Sequence, residues 1–163
     1  MARRAAQLQI RVTLQEKAAL KRLARAAGLD VSAYVLRRSL SQAADRVTGV
    51  LAALREGENR RFALAEWDDL VTALPPAEFG SVLQHVDLEG LDAVTRNYLA
   101  GLVELAAHDK RLTPPPWTRS VEPLDTPYFA TSLRSARPYL LRVTAVPFRR
   151  RNLFTERGVA HRV

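Results

Sequence analysis

The sequence predicts a mainly helical protein with one short strand near its start, and three observations predict it. Gln7 to Leu14 alternates apolar and polar residues: Leu8, Ile10, Val12 and Leu14 against Gln9, Arg11 and Thr13. That period of two is a strand with one apolar and one hydrogen-bonding face. From residue 16 to about 110 the apolar residues recur at helical spacing instead. After the triple proline at Pro114-Pro115-Pro116 the chain is rich in proline and in loop residues.

The strand cannot stand alone, because its backbone edges would stay unpaired and no second strand of similar quality follows nearby. The same strand from a second copy is the simplest partner. Glu16 to Ala27 is rich in Ala, Leu, Lys and Arg, which are strong helix formers, with Leu20, Leu23, Ala24 and Ala27 on one face. Gly28 is placed to end this helix at C′. Asp30 is a good N-cap for a second helix that begins Val31-Ser32-Ala33-Tyr34-Val35-Leu36.

Strand, helix, glycine turn and capped helix together resemble the ribbon-helix-helix DNA-binding proteins of the CopG/Arc type. Residues 7–44 carry the resemblance, and this stretch is similar to the TacA-type antitoxin branch. The resemblance implies two strands paired antiparallel across a dimer and laid in the DNA major groove. It then implies base contacts from Gln9, Arg11 and Thr13, and a phosphate against the start of the second helix at Asp30, Val31 and Ser32. Leu8, Ile10, Val12, Leu23, Val35 and Leu36 would form the dimer core. The side-chain types suit base reading. Arginine can bond guanine N7 and O6, glutamine can bond adenine, and threonine offers a hydroxyl and a methyl. Arg3 and Arg4, just before the strand, read either as an arm reaching phosphates or as a plain basic terminus.

The second helix reads on past residue 45. Leu36, Leu40, Ala43, Val47, Val50 and Leu54 make a heptad seam, which fits either a coiled coil with another protomer or a hairpin within the chain. Gly57 ends it. In residues 60–76, Leu64, Trp67, Leu70, Val71 and Leu74 share one helical face, Asp68 and Asp69 lie opposite, and Pro75-Pro76 stops the helix. This segment too resembles TacA-type antitoxins, in which it wraps an acetyltransferase toxin. By that resemblance Phe62, Leu64, Trp67 and Leu70 would touch a toxin; as ordinary helix residues they read as core, the more usual place for such a tryptophan. A short helix follows over 77–88 around Phe79, Val82 and Leu83, then a longer one from Leu91 to about Lys110.

Trp117 is expected to dock the triple proline, and a helix over 132–143 is broken or restarted at Pro138. Pro147-Phe148-Arg149-Arg150-Arg151-Asn152-Leu153-Phe154 closes a region that resembles the tails of putative antitoxins paired with nucleotidyltransferase-like toxins. Arg149, Arg150 and Arg151 could meet an acidic toxin, the DNA backbone, or the acidic middle of this chain. The organisation is therefore 1–45 for DNA binding and dimerisation, 46–113 a helical and acidic domain, and 114–163 a basic, proline-rich region.

Charge supports that division. The net charge of +8 is spread unevenly, about +7 over residues 1–50, −5 over 51–113 and +6 over 114–163. A basic head fits a polyanion such as DNA. There is no cysteine, which excludes disulfides and thiolate metal sites. His85, His108 and His161 lack neighbours at ligand spacing, the seven glycines form no phosphate loop, and no G-x-S-x-G elbow exists. No cofactor, metal or enzymatic activity is expected. No apolar run approaches the roughly 20 residues that span a bilayer, and the start lacks an apolar leader, so a cytoplasmic protein is expected.

The leading expectation is a dimeric, autoregulating antitoxin that binds its own operator and a protein toxin. The alternative is a relaxosome accessory or plasmid-partition protein of the same fold. A third reading keeps the ribbon only as a dimerisation device.

Overall fold

The computed structural model describes residues 11–57 and 59–156, with the backbone alone for residues 36–42. It is mainly helical, and its chain divides into two compact units, Met1–Ser41 and Gln42–Val163.

In the first unit, α1 spans Leu14–Ala26 and α2 begins at Val31. Residues 7–10 of the expected strand lie outside the described residues. Residues 11–13 carry no strand, and Leu14 is the first residue of α1 rather than the last of a strand. The reason is local: Thr13 and Glu16 form a capping box, which starts the helix earlier than the alternation suggests. Gly28 sits at φ +66°, and the Leu29 N–H donates to the Ala24 carbonyl at 2.9 Å, closing α1 in a Schellman turn. Asp30 then caps α2, its Oδ1 accepting from the Ala33 N–H at 2.8 Å.

The second unit takes the rest of α2, which ends at Glu56, then α3 (Arg60–Ala73), α4 (Pro76–Leu83) and α5 (Ala93–Asp109). Gly57, at φ +75°, stops α2. Val47, Val50, Leu51 and Leu54 are buried with Leu64, Trp67 and Leu70 of α3, so this part of the seam packs within the chain. Leu36 and Leu40 are beyond the described side chains. Leu64 and Trp67 are fully buried and Leu70 nearly so; they are core, not surface available to a toxin. The Trp67 indole N–H points at the Leu99 carbonyl, 3.4 Å away. Phe62, by contrast, is 76% exposed.

α5 runs through the middle of this unit. Tyr98, Leu99, Ala100, Leu102, Val103, Ala106 and Ala107 are buried on nearly every side of it, the pattern of a helix enclosed by its neighbours. It packs against α3 on one side. On the others it meets α6 (Trp117–Ser120), α8 (Val146–Arg149) and the strand β2 (Leu153–Phe154). Asp92 caps its start, accepting from the Thr95 N–H at 2.9 Å.

The region after the triple proline is thus part of the same unit. Trp117 docks as expected, its indole N–H donating to the Leu83 carbonyl at 2.7 Å. A short 3₁₀ turn over 134–136 leads into α7 (Arg137–Val143), with Pro138 in the first turn where a missing N–H costs nothing. β1 (Tyr128–Phe129) pairs parallel with β2, Tyr128 opposite Leu153 and Phe129 opposite Phe154. The two phenylalanine rings stack at 4.8 Å. Phe148 lies against α5 at Gly101, where an added Cβ would stand 2.6 Å from the ring.

Of the three arginines with three candidate partners, Arg151 turns to the acidic middle of this chain and is only 5% exposed. Its guanidinium donates to Glu104 Oε1 and to the Thr118 carbonyl, both at 2.6 Å, and to Asn97 Oδ1 and the Val121 carbonyl at 3.3 Å. A buried cation is tolerable because charge and hydrogen bonds are supplied together. The acidic middle of the chain provides that charge.

Among the described residues no helix is long and apolar enough to cross a membrane, and no group of three metal-ligating side chains occurs.

Candidate nucleic-acid interface

The first unit carries the residues expected to touch DNA, and its geometry follows from two caps and a turn. At the start of α1 the Glu16 carboxylate accepts from the Thr13 N–H at 2.8 Å and from its hydroxyl at 2.9 Å, while the Glu16 N–H approaches Thr13 Oγ1 at 3.3 Å. The Thr13 backbone and side-chain hydrogen bonds hold the Glu16 carboxyl below its ordinary range. Thr13 is therefore oriented by the helix it starts. Arg11, two residues earlier, is exposed.

At the other end of the turn, Asp30 and Ser32 are exposed, and Val31 and Val35 are half-buried. The helix start they form leaves backbone N–H groups directed outward, a geometry suited to an anion. The Asp30 carboxylate already occupies the Ala33 N–H. Gln9, Leu8, Ile10, Arg3 and Arg4 lie outside the described residues, as does the side chain of Leu36.

Two features here escape the sequence reading. One is a basic stripe: Lys17, Lys21 and Arg25 recur every four residues along α1, with Arg22 beside them, and all four are exposed. The spacing is visible in the sequence, but there the residues count only as helix formers. The other is the number of apolar groups left in water. Val12 is 42% exposed and Leu23 51%, while Leu14 is 87% exposed. Ala24 is the one buried residue of α1. Each fully covered Val or Leu side chain is worth roughly 1.5–3 kcal/mol, so these exposed groups are candidates for coverage by another polypeptide.

Comparison with known proteins bears on this unit. No curated protein and no solved structure matches the chain. Residues 2–56 match the model of the NikA-like family, described as mobilization protein NikA, and that segment takes in the expected strand, α1, the Gly28 turn and all of α2, in agreement with a protein of the ribbon-helix-helix type.

Proposed function

We propose that the chain is a DNA-binding accessory protein of a relaxosome, acting by binding rather than by turnover. In this reading two copies pair through the segment that leads into α1 and through the exposed Val12 and Leu23. That segment presents Gln9, Arg11 and Thr13 to base edges, and the Asp30–Ser32 helix starts rest near phosphates. The observation that carries the reading is the NikA-like match over residues 2–56, which coincides with the capped helix pair. The basic stripe of α1 adds charge that suits a polyanion.

An operator-binding antitoxin is the other expectation on the same fold. It draws on Phe62, Leu64, Trp67, Leu70, Arg149, Arg150 and Arg151 as toxin contacts; Leu64, Trp67, Leu70 and Arg151 are engaged inside the chain, while Phe62, Arg149 and Arg150 are exposed. Nothing in the family match speaks for a toxin.

The test is anisotropy with labelled duplexes from a transfer origin, from the DNA upstream of this gene, and from a scrambled control, at two salt concentrations. Selective binding to the transfer origin is expected. Arg11→Ala should lose about 1–3 kcal/mol of discrimination while keeping the salt-dependent background. Selective binding to the upstream DNA alone would favour the autorepressor. Equal binding to all three would sink sequence reading altogether.

A further inference from the structure

The second unit holds two opposite charge blocks. Residues 62–95 contain seven Asp or Glu and no Lys or Arg; residues 126–155 contain six Arg and no Asp or Glu. Three carboxylates of the first block pair with cations that precede it: Glu66 with Arg46, Asp87 with Arg55 and Asp92 with Arg60. Arg151, of the second block, takes Glu104, which belongs to neither.

Each block also exposes apolar groups. In the basic block, Leu140, Thr144 and Phe148 point inward and are buried. That turns Leu141, Val143 and Val146 outward, 47%, 43% and 47% exposed, between the exposed Arg142, Arg149 and Arg150. In the acidic block, Phe62 projects from α3 with Glu66 and Asp69 on the same helical face, four and seven residues further on.

A DNA backbone would answer the arginines but leave Leu141, Val143 and Val146 without partners. A protein surface with one aromatic anchor and carboxylates beside it would answer both. This chain itself carries such a surface. We propose that the α7–α8 face of one copy binds the Phe62 face of α3 on a second copy. The contact joins two different patches, so it is heterologous and can propagate from copy to copy. It would string copies together independently of any pairing through residues 8–36.

Sedimentation velocity on the full chain, across a concentration series, tests this. Concentration-dependent association is expected, weakened about tenfold or more by Phe62→Ser and by the double reversal Arg142→Glu, Arg149→Glu. Mixing that reversal with Glu66→Lys, Asp69→Lys should restore association between the two variants. Their thermal midpoints should stay close to the parent, since all these positions are exposed. Association unchanged by Phe62→Ser, or absent throughout the series, overturns the proposal. So does a reversal that lowers only the salt dependence of DNA binding, which would make the arginine face a nucleic-acid surface.

Discussion

The two units meet the same requirement, covering apolar surface, in opposite ways. In the first, the described apolar side chains Val12, Leu14 and Leu23 remain in water and local caps do most of the organising. In the second, a single helix, α5, is wrapped by α3, α6, α8 and β2, and the apolar residues close on one another. A unit of 41 residues has too much surface for its volume to build such a core. A small unit of this kind gains stability from a partner, while the larger one gains it from its own chain. The difference tells where mutations should act on stability and where on assembly.

The largest effect is expected from Trp67→Ala. It removes a fully buried indole from the centre of the second unit and should cost about 3–5 kcal/mol, read as a fall in the denaturation midpoint. A loss near zero would mean the unit is not a single core. Arg151→Ala comes next, at about 3 kcal/mol. It strands the Glu104 carboxylate, whose side chain is 19% exposed, together with the carbonyls of Thr118 and Val121. Pairing it with Glu104→Gln should recover part of the loss, and strict additivity of the two changes would show that they do not interact.

Asp30→Ala moves the comparison to the first unit. Loss of the cap should cost about 1 kcal/mol, read as a fall in melting temperature, and the melting temperatures of wild type and variant should both drop on dilution if that unit is completed by a second copy. Melting temperatures independent of concentration would count against a completing partner.

The smallest effect is a pH dependence at Asp92. Partial burial works to raise this carboxyl, but the Thr95 hydroxyl and N–H and the Arg60 guanidinium together hold it below its ordinary value. A carboxyl lowered by folding stabilises the fold at pH above its unfolded value. That contribution fades as pH falls through the lowered value. The melting-temperature gap between wild type and Asp92→Asn should therefore be present at neutral pH and narrow in acid. A gap that widened in acid would reverse the assignment.

Much of the helical order is legible in the sequence because its signals are local. Gly28, Asp30, Gly57 and Pro75-Pro76 each act within a few residues, and the helices begin and end beside them. Leu14 misleads because alternation and a capping box overlap at Thr13, and the cap determines the backbone there. β1 and β2 are two residues each, too short for a period to show, and they pair across more than twenty positions. Arg151 is the hardest. In sequence it is one of three adjacent arginines, and its distinction comes from Glu104, 47 positions away. Of the candidate interface, the residue types and the turn are readable; the exposed Val12 and Leu23 become meaningful only with burial in hand.

The placement of Phe148, Arg151 and Leu153 against α5 has a consequence for the order of events on the ribosome. Chains are made from the N-terminus onward, and domains generally fold as units once their parts are available. α5 is complete at Asp109, yet it stays uncovered along the Gly101 side until synthesis has passed Phe154. Residues 1–41 emerge long before that moment. A nascent chain thus has residues 1–41 out of the ribosome while the rest of the molecule is still waiting for its last wall.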